Sequence, residues 1–474
     1  ARQPMMSHCG RFAVNFNGAI YNFKELRQLL SSKGHTFKSS SDTEVIVQSF
    51  VEWGIKCFSK FVGMWALAII DVEKNFLYLC RDRSGVKPLY FSVDKGSVCF
   101  GSTTNAVRTL YPHHEVNLQS VFEYVNFRQP ISQGSFFLNM DAVAPGTCMV
   151  FKKRKQFTYR YWRFPDSTGQ FDRAESEIVE QIRDCLESAI KYRLVSDVNV
   201  GAFLSGGLDS SLIVAIICKQ MASDETLKTF SVGFDNGYEE FQYAREVADY
   251  YQTDHTELRL NASDYISGIK PLIELKGAPL SVPNEVAITA LSSVASANNV
   301  KVLLSGEGAD EAFGGYGRIF RSAFDFLRQN DQKISSNSLF LSNFNAKYGQ
   351  SKFENFIEHF VAQYSYLGNR EMATLIDLDF LNTANIKLRK YLDEFFLNYS
   401  SCSLTRKYMT FFNIIHLGGL LSRLDSATMA SSIEGRVPFT DHLLLEASAK
   451  IPERLLMKWQ DERSEARAQD LNSD

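Results

Sequence analysis

The chain has 474 residues, 45% apolar and 22% charged, the balance of a globular protein rather than a disordered one. Lys plus Arg (51) nearly equals Asp plus Glu (54), and a net charge of −3 argues against a bulk nucleic-acid or membrane-surface binder. No apolar run approaches the ~18–20 residues of a membrane span, and the eight cysteines include no CxxC pair, against a disulfide framework or zinc ribbon. These features predict a cytosolic setting and, at roughly 150 residues per domain, two or three domains. The chain begins at Ala1 rather than Met and shows no signal-peptide pattern, so further residues are expected ahead of it.

Residues 11–16 read as a strand and Asn17-Gly18 as a tight turn. Residues 22–31 carry Phe23, Leu26 and Leu30 at helical spacing behind Asn22 as a cap. A second helix starts at Asp42, with Val45, Ile46 and Phe50 on one face. Residues 64–71 and 76–80 read as paired strands, and 149–162 as a hairpin whose basic tip at 152–155 is a solvated turn. The polar stretch 165–174 marks a domain boundary. Beyond it the pattern alternates: a helix at 175–192, a strand at 198–204, a helix at 209–221, and strands at 228–234 and 301–304. That alternation predicts a parallel sheet covered by helices. From Ile319 onward helical spacing dominates, and the Phe and Tyr residues of 319–412 are assigned to core packing rather than to a stacking platform. His113-His114 has no third ligand nearby and reads as a surface turn; the lone cysteines read as small buried apolar residues.

Two loops carry chemistry. Ser205-Gly206-Gly207-Leu208-Asp209-Ser210-Ser211 lies between a strand and a helix. Its glycines let backbone N–H groups approach an anion, the helix start adds positive potential, and Asp209 can hold a metal that neutralises phosphate. It lacks the Lys of a GxxxxGK[ST] loop, so it does not read as a phosphoryl-transfer site; an ordinary capped turn is the plain alternative. Ser305-Gly306-Glu307-Gly308-Ala309-Asp310-Glu311 follows another apolar strand and sets three acidic residues within five positions. Such a cluster is costly unless something positive binds there, and Mg²⁺ is the economical choice; a solvated acidic turn is the alternative.

These two loops together resemble the pyrophosphate-loop synthetase domain of glutamine-dependent asparagine synthetases. Residues 230–234 (FSVGF), 243–248 (YAREVA) and 434–439 (EGRVPF) are similar to further motifs of that family. In the amino half, 17–22 (NGAIYN), 41–44 (SDTE) and 81–90 (RDRSGVKPLY) resemble the partner glutaminase in order and spacing. The resemblance implies an N-terminal-nucleophile αββα glutaminase over 1–165 and an adenine-nucleotide alpha hydrolase-like synthetase over 174–458. The latter is a parallel-sheet domain with a helical carboxyl-terminal part, and 459–474 is a tail of unknown structure. It implies an ATP-dependent amidotransferase in which a Cys thiolate releases ammonia from glutamine and the ammonia attacks an acyl-adenylate. Asn17 and the N–H of Gly18 would form the oxyanion hole, with Ala19 and Asp42 completing the glutamine site and Asp42 holding the α-ammonium. Ser205, Gly206, Gly207, Asp209, Ser210 and Ser211 would surround the pyrophosphate of ATP, and Phe203, Val232, Ser305 and Gly306 would contact adenosine. Asp209 and Asp310 would hold Mg²⁺, and Glu307 would take a proton from ammonia. Partners are small molecules, namely glutamine, ATP and aspartate or another carboxylate, with a homodimer allowed and neither nucleic acid nor membrane expected.

The sequence departs from the family at four places. Only sixteen residues precede Asn17, so the nucleophile is expected ahead of Ala1, and Cys9, without a free α-amino group, is rejected for that role. The family's carboxyl-terminal Lys that contacts pyrophosphate has no match, and Lys458 stands too close to the preceding motif to replace it. Ala19 stands where asparagine synthetases usually have Glu. At the acceptor end, Leu424-Asp425-Ser426 replaces a more basic pattern and Lys276-Gly277-Ala278-Pro279 replaces an acidic one. Aspartate is the expected acceptor; a sugar uronate in polysaccharide synthesis is the first alternative, and a truncated non-catalytic paralogue the second.

Overall fold

The computed structural model describes residues 2–111, 115–132, 134–166, 169, 171–222, 225–235, 241–331 and 338–458. His113-His114, part of the 165–174 boundary and the 459–474 tail lie outside the described residues.

The amino half is built on a six-stranded antiparallel sheet in the order Met5–Met6, Phe12–Ile20, Gly63–Asp71, Phe76–Arg81, Thr147–Lys152, Lys155–Arg160. Gly63–Asp71 is apolar through Met64 to Ile69 because it is covered on both faces. Helices Phe23–Ser32 and Asp42–Trp53 pack on one side through Leu26, Leu30, Val45, Ile46 and Phe50. On the other side lies a three-stranded sheet, Ser97–Gly101, Tyr90–Asp94 and Met140–Ala142, joined through Phe91, Leu79 and Phe151. Helix Thr104–Leu110 then covers that sheet through Val107. The layering is helix, sheet, sheet, helix, as the resemblance implies.

Two local readings are corrected. Asn17-Gly18 is not a turn: both lie within Phe12–Ile20, opposite Ala66 and Trp65. Gly18 has φ +138°, and a Cβ there would collide with the Met64 carbonyl, so glycine serves a close strand approach instead. Asn22 precedes its helix but does not cap it; its side chain donates to the Lys60 carbonyl (2.9 Å) and accepts from Val62 N–H (2.9 Å).

The carboxyl half holds a five-stranded parallel sheet ordered Asp254–Leu260, Lys228–Phe234, Val200–Phe203, Val302–Leu304, Glu434–Arg436. Helices Glu175–Arg193, Leu208–Gln220 and Phe241–Tyr251 cover one face, and Asn284–Ala297 the other. Strand order reverses between Val200–Phe203 and Val302–Leu304, the crevice where open α/β sheets bind ligands. Beyond Gly317 the described chain is mainly helical around Phe320, Phe360, Phe396, Tyr408, Phe411 and Phe412, in accord with core packing for those aromatics. A π-helical turn, Phe412–His416, leads into helix Leu417–Met429. Among the described residues no helix is long and apolar enough to cross a membrane. Five cysteines are buried and two half-buried, but Cys9 is exposed, contrary to the reading of all as buried.

His359, fully enclosed in this aromatic core, shares a hydrogen bond of 3.0 Å with the Tyr408 hydroxyl. Burial pushes its pKa down from 6.5 to about 4. Between those values the unfolded chain holds the proton and the folded one does not, so stability falls as pH is lowered through that window. The loss approaches about 3 kcal/mol for this group. Urea midpoints measured from pH 7 to 4 are expected to fall less steeply for His359→Gln than for the parent protein.

Candidate active site

Both glycine loops leave the parallel sheet at its carboxyl edge, from neighbouring strands. They pass so closely that a Cβ on Gly306 would lie 3.1 Å from Cβ of Asp209. Between them opens a cavity of about 340 Å³. From the first loop and its sheet Phe203, Ser205, Asp209, Ser210 and Val232 line it, and from the second Ser305, Gly306, Glu307 and Asp310. Gly206, Gly207 and Ser211 are not among its walls. Gly206, at φ +81°, packs against Tyr243 and Ala244, where no Cβ fits, and Gly207 precedes the helix Leu208–Gln220. Ser211 Oγ is buried without a hydrogen-bond partner.

The first loop is tied by its own hydroxyls. Ser205 Oγ accepts from Gly207 N–H (3.3 Å), while Ser210 Oγ accepts from Ser205 N–H (3.2 Å) and donates to the Gly207 carbonyl (3.2 Å). No side chain caps Leu208–Gln220, which leaves its first N–H groups and positive end open to an anion.

The acidic residues divide into two sets. Glu307 is paired with the Arg423 guanidinium, whose Nη1 also donates to Asn284 Oδ1 (3.2 Å). Glu311 is buried and accepts from the Tyr316 hydroxyl (2.7 Å); burial pushes its carboxyl up to about 7. Asp209 and Asp310 make no ion pair among the described residues. Burial raises both, and Asp310 and Glu307 raise Asp209 further by like-charge repulsion. The Gly314 and Gly315 N–H groups close back on the Asp310 carbonyl (2.9 and 3.0 Å), and a Cβ on Gly315 would strike the Asp310 carboxylate. Among the described residues no three His, Cys, Asp or Glu groups close into a metal site. Two carboxylates beside an anion cradle still fit Mg²⁺, which takes few protein ligands and completes its shell with phosphate oxygens and water.

In the amino half, Asp42 Oδ2 accepts from Ile20 N–H (3.1 Å), which places it at the end of the strand that carries Asn17 and Gly18, next to Ala19. Burial raises its pKa. Asn17 Nδ2 donates to Ser102 Oγ (3.1 Å). Asp82 anchors the neighbouring loop by accepting from the N–H groups of Trp65, Ser84, Val86 and Lys87 at 2.9–3.1 Å. Cys9 sits in the turn before Phe12, and Phe12 itself is about 17 Å along the strand from Asn17. Cys57, Cys80 and Cys148 are enclosed in the core, and burial raises Cys57 and Cys80 well above the usual thiol range. None of these four is placed to attack glutamine.

The halves meet across an apolar seam in which Tyr21, Met64 and Val86 pack against Leu417, Leu421, Leu424 and Val437. The guanidinium groups of Arg193 and Arg436 both lie against the Tyr21 ring, 5.3 and 5.2 Å from its centre. Lys87, fully buried, donates to Asp425 Oδ1 (2.8 Å). A cavity of about 500 Å³ also lies between the halves, lined by Arg81, Tyr90, Gln129, Gly418, Gly419 and Ser422 among others. The sequence reading overlooked Arg423, Asn284, Tyr316 and the Lys87–Asp425 pair. It also expected an acceptor end poor in cations. Arg423, one position before Leu424-Asp425-Ser426, is a cation at this cavity paired with Glu307, and Asp425 pairs with Lys87 of the other half.

Comparison with known proteins agrees with this two-centre arrangement. Residues 1–162 match the family model described as a glutamine amidotransferase domain, and 181–468 the one described as asparagine synthase. Asparagine synthetase [glutamine-hydrolyzing] 1 of Bacillus subtilis is 30% identical over 466 residues, covering 96% of this chain and 72% of that protein. Asparagine synthetase [glutamine-hydrolyzing] 3 of the same organism is 29% identical, with 96% and 72% covered. Putative asparagine synthetase [glutamine-hydrolyzing] 2 of Methanocaldococcus jannaschii is 34% identical over 322 residues, 67% of this chain and 61% of that protein. The protein is thus an ATP-dependent amidotransferase, a ligase that forms a carbon–nitrogen bond with glutamine as donor. It belongs to the asparagine synthase family.

Gly315→Ala is expected to displace the Asp310 carboxylate. ATP–pyrophosphate exchange should fall at least tenfold while the melting temperature, read by circular dichroism, stays within a few degrees of the parent.

Proposed function

We propose that the protein converts aspartate to asparagine, activating the β-carboxylate as an acyl-adenylate in the cavity between the two glycine loops. One observation carries this reading: among the described residues Asp209 and Asp310 have no ion-pair partner and stand beside an uncapped helix start, while Arg423 and Asn284 gather at Glu307. The first group suits a nucleotide's phosphates, and the second an acidic acceptor. In this reading Phe203, Val232, Ser305 and Gly306 contact adenosine, and Ser205, Gly206, Gly207, Asp209, Ser210 and Ser211 surround the pyrophosphate. Asp209 and Asp310 would hold Mg²⁺, whose charge offsets that of the phosphates.

Adenylation bonds a carboxylate oxygen to the α-phosphorus of ATP as the bond to pyrophosphate breaks, so that this oxygen, otherwise a poor leaving group, departs with AMP. Ammonia then attacks the acyl carbon: a C–N bond forms, the C–O bond to AMP breaks, and Glu307 takes the proton shed by nitrogen. Arg423, paired with Glu307 when the site holds no acceptor, is available to hold an acceptor carboxylate. In the amino half Asn17 and Gly18 N–H would stabilise the oxyanion on glutamine, with Ala19 beside them and Asp42 on the α-ammonium. We place the glutaminase at 1–165 and the synthetase at 174–458, in a cytosolic protein. The departures at 276–279 keep a sugar uronate as the rival acceptor, since Lys276 there is bound to Glu285 (2.8 Å) rather than free to contact substrate.

With ammonia as donor and ATP–pyrophosphate exchange as readout, aspartate should support exchange and uronic acids should not. Asp310→Ala should lower it at least a hundredfold. Exchange untouched by that change would overturn the site, and exchange with uronates alone would overturn the acceptor.

A further inference from the structure

Helix Leu417–Met429 belongs to both halves of the molecule. Arg423 and Asp425 stand two residues apart on it, about 200° around the helix axis, so one short stretch reaches in two directions. Arg423 meets Glu307 and Asn284 at the nucleotide cavity, and Asp425 meets Lys87 of the amino half. Between its first turn and that pair the helix borders the 500 Å³ cavity at Gly418, Gly419 and Ser422. Gly418 has no atom within 4 Å of where its Cβ would be, whereas a Cβ on Gly419 would strike the Gln129 side chain, so contact along this stretch of the helix is uneven.

We propose that Lys87 is a positioning residue for the synthetase site: by holding Asp425 it sets the helix that presents Arg423 to Glu307 and to the acceptor. The proposal rests on the acceptor-site reading above. Lys87 is 1% exposed and Asp425 8%, so neither charge is screened by water. The groups around the pair are Glu434, Tyr21, Arg81 and Tyr90, and Asp425 is the one carboxylate that Lys87 bonds among the described residues. A buried ion pair is weak as a source of stability but strong as a fixer of geometry, because its two members tolerate no other placement. Lys87 would thus tie the glutaminase half to the acceptor pocket even when no glutamine is used.

Lys87→Met alone leaves Asp425 charged and buried and can fail to fold, so the decisive variant is Lys87→Met with Asp425→Leu, which replaces the pair by apolar groups. It is assayed with ammonia as donor, which removes glutamine chemistry from the readout. The expected result is a melting temperature within a few degrees of the parent, an unchanged KM for ATP, and an acceptor KM raised at least tenfold. A folded double variant with an acceptor KM within twofold of the parent would overturn the proposal, as would equal losses for ATP and acceptor. A parent protein without carboxylate-dependent exchange would instead sink the site reading on which the proposal stands.

Discussion

Negative charge cannot be gathered at the end of a sheet without something to offset it, and the synthetase half is arranged around that constraint. Asp209, Glu307, Asp310 and Glu311 converge where two parallel strands end. Each is handled differently: Glu307 by Arg423, Glu311 by a tyrosine hydroxyl and its own raised pKa, while Asp209 and Asp310 have no ion pair among the described residues. Unequal treatment of similar groups assigns them unequal tasks. All four line one cavity, which is divided between paired and unpaired carboxylates.

The same economy extends across the domain seam. Three cationic side chains are buried there, Lys87, Arg193 and Arg436, and each is held by a carboxylate or a carbonyl. Arg193 and Arg436 also lie against the ring of Tyr21, which follows directly on the strand carrying Asn17 and Gly18. The strand that carries Asn17 and Gly18 and the helix that carries Arg423 therefore meet at one contact region, and a shift of either disturbs charges buried from water.

The two glycine loops were legible in the sequence because their residue types are needed where they stand: glycine for close approach, carboxylates for charge, a strand before and a helix after. Asn17-Gly18 was misread because the dipeptide's local preference for a turn was overridden by pairing with Gly63–Asp71, where Gly63 itself leaves no room for a Cβ beside the Ala19 carbonyl. The strand Asp254–Leu260 escaped notice because it lies at the sheet edge, partly exposed and polar, and Glu434–Arg436 because three residues carry no periodicity. Arg423 and Lys87 left no local signal. Their partners are 116 and 338 positions away, and only folding brings them together.

The π-helical turn Phe412–His416 has a bearing on how this site can vary. Each residue advances a helix by about 100°. A turn that accommodates one residue more than an α-helix therefore fixes the azimuth of everything after it, including Arg423 and Asp425. Substitutions along the following helix can reshape the acceptor pocket one contact at a time. A single insertion or deletion before Leu417 would swing the cation from the cavity and the carboxylate from its lysine in one step. Diversity of acceptor in such a scaffold is open to exchange of side chains and closed to changes of length at this point.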